Sequence, residues 1–544
     1  MEIIRRQSGI ILFLIVFLGF ILRIYQVNQI PPSLSWDEVS IGYNAYSILK
    51  TGMDEHGRFL PYDTFVGYGD YKPPLPVYLT VPFVAAFGLN EFSVRLPSVI
   101  AGTLAILFTY FLVLELFHKG DKRNREVVAL LSALLLAVSP WHVQLSRAGW
   151  EANIATSFIM LGAWLALSAR EHKERLYLAW LPFVAAIYTF NSARYFVPML
   201  GVILLFFGWK EYRLHIKELA LGIIIALLLA FPIIPHILSP EARLRFTEVN
   251  IFSDSSIVAQ SNIRIAADDG AWWSKILHNR RVGYARSYLT HFFDQFEPWF
   301  LFVRGDGNPK FSLQDTGQLY LIELPFLVIG VIVLFSQVPA AASLLVLWLV
   351  SAIVPAATAR ETPHALRVEN TLPVWQIFIS IGIVSMVRRL WSGKWKKIVI
   401  YTIMALYIFN VSYFLHSYFV HYSREYSGEW QYGYREAIRF VQPIQNNYDR
   451  VYITEAIGRA YMYTLFYEQY DPKTFIAGRD SRFDAEGFYH VYGFDRFRFV
   501  EGIDMTFNGK ALYVMEPAKV PKEAHVLSTV NLLNGEPVLK VFEL

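Results

Sequence analysis

Long apolar runs divide this chain, and they constrain its fold more than any other feature of the sequence. Each run approaches the roughly 20 residues that a helix needs to cross the hydrocarbon core of a bilayer. Hydrophobic residues make up 54% of the 544 and charged residues only 17%, whereas a soluble domain carries about 25% charge. The sequence therefore predicts a polytopic α-helical membrane protein with about 11 transmembrane helices. The runs lie at about 8–26, 95–117, 126–141, 151–169, 177–190, 195–209, 218–238, 319–336, 339–357, 371–387 and 397–418.

The loops between these runs differ in charge, which predicts their sides. With the N-terminus inside, the short loops rich in Lys and Arg all lie in the cytoplasm, as the positive-inside rule requires. These loops are His118–Arg125, Arg170–Arg175, Lys210–Lys217 and Arg388–Lys397. The opposite face then carries the long loops 27–94 and 239–318 and the tail from about 419. We expect a multi-pass protein of the plasma (inner) membrane, with the first run retained as an anchor.

The segment Pro73–Leu89 is apolar enough to be a twelfth span. If it crossed, every later basic loop would move to the outer side. Prolines at 73, 74, 76 and 82 suit an irregular path. We therefore interpret it as a juxtamembrane or re-entrant element of the outer face.

The tail changes character at about residue 420. The pattern predicts strands at 451–454, 511–515 and 538–542, and an amphipathic helix at 459–470. We expect two domains: a transmembrane domain at 1–419 and a small extracytoplasmic α/β domain at 420–544. No glycine-rich phosphate loop opens a helix in the tail, so it is assigned no catalysis.

Two adjacent carboxylates, Asp37 and Glu38, follow the first apolar run on the predicted outer side. Ser35-Trp36-Asp37-Glu38 fits a capping box, with Ser35 as N-cap and Glu38 reaching back from the third helical position. That reading explains Glu38 and leaves Asp37 with only a favourable helix-dipole charge. A carboxylate fixed at a helix start beside the membrane can take a proton from a hydroxyl. Asp37 is therefore the candidate catalytic base, and Glu38 is a second catalytic candidate that caps the helix or supports Asp37.

Further polar residues recur at the predicted outer ends of the spans. Taken singly, each is explained as a lipid anchor or a helix terminus. Taken together, the cations could hold an anionic headgroup, because arginine presents a planar fork of donors to phosphate. The candidate phosphate-binding cations are Lys72, Arg95, Arg147, Arg194 and Arg367, with Glu151, Tyr195 and His364 as further candidates.

The long loop 239–318 holds an amphipathic pattern. Its apolar positions fit the face of a helix lying in the membrane interface, namely Ile276, Tyr284, Tyr288, Phe292 and Phe296. The triplet Arg304-Gly305-Asp306 is taken as coincidence. The chain has no cysteine and its histidines lack metal-ligand spacing, so no metal site is predicted. No cofactor is assigned, a divalent-metal requirement stays open, and no nucleic-acid partner is expected.

The order of these motifs resembles a known family. Trp36-Asp37-Glu38 after the first span, Lys72-Pro73-Pro74-Leu75 in the first outer loop, Arg95-Leu96-Pro97-Ser98 opening the second span and Glu151 opening the fourth resemble the GT-C superfamily. Within it, the chain is similar to glycosyltransferase family 39, which includes protein O-mannosyltransferases and the lipid A aminoarabinose transferase. The resemblance covers roughly residues 8–420.

The resemblance implies transfer of a sugar from a polyprenyl-phosphate donor to an acceptor hydroxyl of a glycan, lipid or protein at the outer membrane face, with inversion. It implies that Asp37 is the catalytic acidic residue, and that Lys72 and outer-face arginines hold the lipid phosphate. Glu151 departs from the family pattern, in which aspartate is commoner. Lysine before Pro-Pro resembles the aminoarabinose branch and differs from the histidine typical of protein mannosyltransferases. No sugar-binding repeat domain of the eukaryotic protein mannosyltransferases is visible, so a protein acceptor is not favoured.

Two alternatives from other classes remain. A transporter or flippase of lipid-linked sugars would also be polytopic, but it usually places charges near the middle of the membrane. A non-catalytic scaffold displaying the outer domain would leave the series Asp37, Lys72 and Arg95 unexplained.

Overall fold

The computed structural model describes residues 2–239, 250–389, 394–484, 487–504 and 506–544. Part of the predicted outer loop 239–318 and part of the predicted cytoplasmic loop Arg388–Lys397 therefore lie outside the described residues.

The described helices confirm a polytopic membrane protein. Seven of them are long and apolar enough to cross a bilayer, or eight if one pair bent by 57° at Ser139 counts as a single span. The predicted number was about 11. The counts differ because two predicted runs fall within one 45-residue stretch, Ala193–Ile237, and two more form helical segments of under 18 residues. The seven are Gln7–Ile24, Glu91–Leu116, Glu151–Ser168, Ala193–Ile237, Pro339–Ala356, Glu369–Arg389 and Lys396–Glu425.

The segment predicted not to cross contains a short helix, Leu75–Phe87, of 13 residues. At 1.5 Å per residue it spans about 20 Å, less than the roughly 30 Å of the hydrocarbon core. Its length therefore agrees with a path that does not cross.

The chain folds into two compact units. The first comprises residues 1–19, 102–145 and 155–411, and the second comprises 20–101, 146–154 and 412–544. Five helices have residues in both: Glu2–Ile24, Glu91–Leu116, Pro140–Ser146, Glu151–Ser168 and Lys394–His416. The predicted tail domain lies in the second unit, together with most of the first outer loop.

The first unit is helical. Its closest described packing joins Glu323–Gln337 to Val374–Arg389, where a Cβ added to Gly330 would lie 1.8 Å from the Phe378 carbonyl oxygen. Small residues permit such close backbone approach between membrane helices. Among the described residues of this unit, the other α-helices are Lys122–Val138, Arg175–Leu178, Trp180–Ile187, Ala193–Tyr212, Ile216–Ala230, Ile234–Ile237, Ser255–Ala267, Trp272–Leu277, Arg280–Asp294 and Pro339–Ala356.

The amphipathic pattern in loop 239–318 forms the helix Arg280–Asp294, but the expected interfacial face was wrong. The Tyr288 hydroxyl donates to the Val354 carbonyl over 3.2 Å, and Phe296 lies against Trp375. The face exposed instead carries Val282, Leu289 and Phe293. The apolar period identifies the half-buried face of this helix, but it does not say whether protein or lipid covers that face.

The second unit combines helices with two sheets. Its first sheet is a hairpin of β1 (Phe65–Gly67) and β2 (Asp70–Lys72). The helices are Trp36–Thr51, Leu75–Phe87, Tyr422–Glu425, Tyr434–Val441, Ala460–Tyr467 and Pro472–Gly478. The other strands are β3 (Arg450–Thr454), β4 (Asp480–Phe483), β5 (Tyr489–Phe494), β6 (Phe497–Val500), β7 (Ala511–Met515), β8 (His525–Asn531) and β9 (Pro537–Glu543).

Strands β3 to β9 form one mixed sheet in the order β4-β5-β6-β3-β7-β9-β8, with β3 parallel to both β6 and β7. The predicted strands at 451–454, 511–515 and 538–542 are confirmed. The amphipathic helix predicted at 459–470 is shorter, Ala460–Tyr467, and its residues 460–466 are all buried, so it has no polar face. Val451 and Ile453 on one face of β3 join a core that also contains Val39 and Tyr43 of the Trp36–Thr51 helix. The tail and the helix that follows the first apolar run thus share one hydrophobic core.

Candidate active site

The Trp36–Thr51 helix begins with the predicted capping box, which is confirmed. Ser35 Oγ accepts from the Glu38 amide over 3.4 Å, and the Ser35 amide donates to Glu38 Oε2 over 2.9 Å. The Glu38 side chain therefore turns back over the helix end. Consecutive helical side chains point about 100° apart, so the Asp37 carboxylate points elsewhere.

Glu38 is the centre of a buried network. Its Oε1 accepts from Arg95 Nε over 2.8 Å and from the Gly149 amide over 2.9 Å. Neither Glu38 nor Arg95 has exposed surface. Since both oxygens of Glu38 are occupied by protein donors, Glu38 joins three segments of the second unit.

Arg95 and Arg147 hold the chain that leads into this helix. Arg95 Nη1 donates to the carbonyls of Val27 and Pro31 over 2.7 and 2.9 Å, and Nη2 donates to that of Ser33 over 2.6 Å. The Arg147 guanidinium likewise donates to four carbonyls, those of Leu22, Arg23, Tyr25 and Ile30. Both side chains are fully buried. These contacts use the donors that the sequence interpretation gave to a phosphate, and they favour a positioning role for both arginines.

Asp37 pairs with Lys72, which closes the β1–β2 hairpin. Lys72 Nζ donates to Asp37 Oδ1, and the Thr64 hydroxyl fixes the lysine backbone by donating to its carbonyl over 2.9 Å. The side chains are 29% exposed for Asp37 and 8% for Lys72. Asp37 is therefore a solvent-reachable carboxylate held by a nearly buried cation.

Glu151 completes the cluster. It opens the Glu151–Ser168 helix and interacts electrostatically with Lys72, Asp37 and Glu38. The structure thus brings five predicted site residues together in the second unit: Asp37, Glu38, Lys72, Arg95 and Glu151. Three carboxylates face one lysine and one arginine, and only Arg95 and Glu38 are wholly committed to structure.

Four predicted site residues belong to the first unit. The Nε and Nη2 atoms of Arg194 are buried and have no hydrogen-bond partner among the described residues. Tyr195 is 57% exposed. Arg367 Nη1 donates to the Glu361 carbonyl over 3.0 Å. Burial lowers the pKa of His364 to about 3, so this histidine is neutral at physiological pH.

Asp306, the acid of the Arg-Gly-Asp triplet, is a structural residue that the sequence did not reveal. It accepts from the Asn308 and Ala365 amides over 2.8 and 2.6 Å and lies 3.5 Å from His364 Nδ1. Burial raises its pKa to about 6. Asp306 therefore joins two loops of the first unit, a contact between residues far apart in sequence.

Glu55 is a second buried carboxylate that sequence reasoning missed. Its oxygens accept from Asn44 Nδ2 over 3.2 Å and from the Tyr461 hydroxyl over 3.3 Å. Burial raises the pKa of Glu55 to about 8. Among the described residues, no group of three or more acidic or histidine side chains is placed to hold a metal ion.

Sequence comparison finds relatives over part of the chain. The family model described as dolichyl-phosphate-mannose-protein mannosyltransferase matches residues 71–236. The putative mannosyltransferase YkcB of Bacillus subtilis is 24% identical over 243 residues, 43% of this chain and 32% of that protein. An undecaprenyl phosphate-alpha-4-amino-4-deoxy-L-arabinose arabinosyl transferase of Pseudomonas paraeruginosa is 24% identical over 36% of this chain and 39% of its own length. The matches thus span only about a third of these relatives' length.

Structural comparison covers nearly the whole chain. The apo structure of ArnT from Cupriavidus metallidurans superposes with a TM-score of 0.52 at 12% identity, covering 99% of this chain and 98% of that one. The same protein bound to undecaprenyl phosphate gives 0.50 at 13% identity, covering 97% of each chain. The oligosaccharyltransferase AglB from Archaeoglobus fulgidus, in complex with an inhibitory peptide and a dolichol-phosphate, gives 0.50 at 13% identity, covering 85% of this chain and 63% of that one.

The fold is that of a polytopic membrane protein, and in its candidate site Asp37, at the start of a helix, pairs with Lys72 of the β1–β2 hairpin. The chain shares the fold of ArnT and AglB over most of its length, and its residues 71–236 match the mannosyltransferase family model.

Proposed function

We propose that this protein transfers a sugar from a polyprenyl-phosphate-linked donor to an acceptor hydroxyl at the extracytoplasmic face of the plasma membrane, with inversion at the anomeric carbon. Asp37 is the base and Lys72 holds the donor phosphate. The acceptor hydroxyl belongs to a glycan, a lipid or a protein.

The division of labour between Asp37 and Glu38 carries the proposal. Both Glu38 oxygens accept from protein donors within a fully buried network. Asp37 keeps 29% of its side chain exposed although it sits beside other acidic groups. A partly exposed carboxylate whose lysine partner also faces Glu151 can take a proton from a bound hydroxyl, whereas Glu38 has no oxygen left for this task.

The reaction assigns a task to each charge. The acceptor oxygen attacks the anomeric carbon, its proton passes to Asp37, and the bond from that carbon to the phosphate oxygen breaks. The polyprenyl phosphate leaves with one additional negative charge. Lys72 is close enough to Asp37 to contact both base and leaving group, and its cation stabilises the charge that develops on the phosphate.

The other predicted phosphate ligands divide by their contacts. The carbonyl contacts of Arg95 and Arg147 support a positioning role, in which both arginines fix the segment 22–33 that leads into the Asp37 helix. The two unpartnered guanidinium nitrogens of Arg194 support a direct role in holding an anion, because a buried donor without a partner is costly. The roles of Arg367, Tyr195 and His364 stay predictions from the sequence, and Glu151 is proposed as the acid that shares Lys72 with Asp37.

The lipid donor is supported by the compared proteins. One solved ArnT structure holds undecaprenyl phosphate and one AglB structure holds dolichol-phosphate. The Pseudomonas paraeruginosa relative is named for a sugar on undecaprenyl phosphate. These names support a polyprenyl phosphate as the shared carrier, and they differ in the sugar and the acceptor.

A transfer assay tests the proposal. Purified protein in proteoliposomes receives synthetic polyprenyl phosphates carrying radiolabelled mannose, glucose or aminoarabinose, together with an extract of envelope glycolipids and glycans. We expect label to move from one donor into a chloroform-insoluble or chromatographically distinct acceptor. Movement of intact donor between leaflets, without a new glycoside, would instead favour a flippase.

A further inference from the structure

The tail contacts the hairpin that carries Lys72. Gly69 in the hairpin turn has φ +90°, and a Cβ added there would lie 2.5 Å from the Gly487 carbonyl oxygen and 2.7 Å from Phe488 Cα. The Tyr489 amide donates to the Tyr68 carbonyl over 3.3 Å. Backbone of the tail therefore lies directly against the turn between β1 and β2.

The same turn is linked to the start of the Asp37 helix. The Tyr68 hydroxyl donates to the Trp36 carbonyl over 2.8 Å, and Tyr68 is 4% exposed. The Arg459 guanidinium lies 4.8 Å from the centroid of the Tyr68 ring, a cation–π contact. A continuous chain of contacts thus runs from the tail through Tyr68 to the residue before Asp37.

Neighbouring tail residues support this arrangement. A Cβ added to Gly458 would lie 3.6 Å from the Trp36 indole, and Gly458 has φ +92°. Arg459 itself has φ +62°, an uncommon conformation for a residue with a side chain. The Tyr463 hydroxyl donates to the Leu34 carbonyl over 2.8 Å. The turn 458–459 is therefore shaped to fit the helix start.

We infer that Arg459 and Tyr68 are positioning residues that hold the Asp37 helix start and the Lys72 hairpin in register. The inference rests on the proposed function, and it assigns the tail a part in catalysis. Asp37 comes from a helix and Lys72 from a hairpin, and Tyr68 links both elements directly. A displacement of about 1 Å between reacting groups lowers rates about 100-fold.

Two variants test whether Arg459 and Tyr68 hold the Asp37 helix start and the Lys72 hairpin in register. Arg459→Gln removes the cation above Tyr68, and Tyr68→Phe keeps the ring but removes the hydrogen bond to Trp36. Arg479→Gln is the matched control, because Arg479 also joins the tail to the first outer loop, through the carbonyls of Glu55 and His56. All three are compared in the full-length protein in lipid nanodiscs, where folded fraction is checked by size-exclusion chromatography and thermal unfolding.

Hydrogen–deuterium exchange reports on position without activity. We expect Arg459→Gln and Tyr68→Phe to raise exchange in peptides covering 34–41 and 65–72. Arg479→Gln should raise exchange near 54–58 and leave 65–72 unchanged. In the transfer assay, the first two variants should lose kcat about 10- to 100-fold, while Arg479→Gln keeps kcat.

Unchanged exchange at 34–41 and 65–72 in both variants would show that Arg459 and Tyr68 do not hold the two elements in register. Raised exchange with unaltered kcat overturns the positioning role. Absence of any transfer by the wild-type protein would instead reject the proposed function, and exchange would still decide whether Arg459 and Tyr68 hold the two elements in register.

Discussion

Arg95 Nε donates to Glu38 Oε1 over 2.8 Å, and neither side chain has any exposed surface. The remaining terminal nitrogens of Arg95 donate to three backbone carbonyls. Protein groups therefore satisfy the hydrogen-bonding atoms of this ion pair, which links the start of the Trp36–Thr51 helix to the Glu91–Leu116 helix.

Glu38→Gln is expected to destabilise the protein. The amide places an NH₂ group where an oxygen now accepts, so one of the donors Arg95, Gly149 or Ser35 faces another donor. Breaking a buried ion pair costs about 3–5 kcal/mol, and thermal unfolding in detergent measures the loss. Asp63→Asn is the control, because the Asp63–Arg58 pair is partly exposed and should contribute within about 1 kcal/mol. Equal stability of both variants would contradict the structural role of Glu38.

Gly330→Ala tests the helix contact in the first unit. The added Cβ would lie 1.8 Å from the Phe378 carbonyl oxygen, so the two helices must separate. Overpacking of this kind costs about 1–3 kcal/mol, read out as a lower midpoint of thermal unfolding. Gly9→Ala is the control, since its Cβ would meet nothing within 4 Å. A Gly330→Ala protein as stable as Gly9→Ala would show that the contact is not formed.

Membrane orientation is testable because the chain has no cysteine. Lys119→Cys and Lys522→Cys each introduce one thiol at an exposed position. In intact cells, an impermeant maleimide should label position 522 and spare 119, which should react only after permeabilisation. The opposite pattern would place the tail and Asp37 in the cytoplasm.

The pH dependence of stability has a defined sign at Glu55. Burial raises its pKa to about 8, so the folded state holds a proton that the unfolded state has lost. Stability from this group is fully present below about pH 4.5 and falls as pH rises towards 8. His56 opposes it at lower pH, because burial lowers the pKa of His56 to about 4.

The unfolded chain loses the His56 proton around pH 6.5. This contribution is common to wild type and a Glu55 variant, so the difference between the two proteins reports Glu55. Glu55→Gln should remove a slope of up to about 1.4 kcal/mol per pH unit, and the variant should exceed wild type in stability at pH 8.5. Urea unfolding at several pH values measures the difference. Parallel pH profiles for the two proteins would show that Glu55 is already ionised in the folded state.

Local sequence patterns predicted the local structure. The Ser35-to-Glu38 spacing gave the capping box because both partners lie within one helical turn. Alternating apolar residues gave the strands of the tail, since side chains of a strand alternate between faces. The cluster of Asp37, Lys72 and Glu151 came from separate segments and was found through the family resemblance.

Long-range contacts explain what the sequence did not reveal. Nothing local distinguishes Lys72, which meets Asp37, from Arg95 and Arg147, whose donors reach carbonyls of residues 22–33. Burial of Glu55 depends on Tyr461, some 400 positions away. The predicted number of spans exceeded the observed number for a related reason. An apolar run indicates that a segment is buried, but it does not show whether that segment crosses the membrane.

The central claim is that the Asp37 carboxylate is the base for sugar transfer, and Asp37→Asn tests it most directly. The amide keeps the size of the side chain and its place at the helix start but removes the basic oxygen. Transfer from a polyprenyl-phosphate sugar is measured in proteoliposomes for wild type and variant, with thermal unfolding as the check on folding. We expect turnover to fall by about two to four orders of magnitude in a normally folded protein. A folded Asp37→Asn protein with near-normal turnover would contradict it.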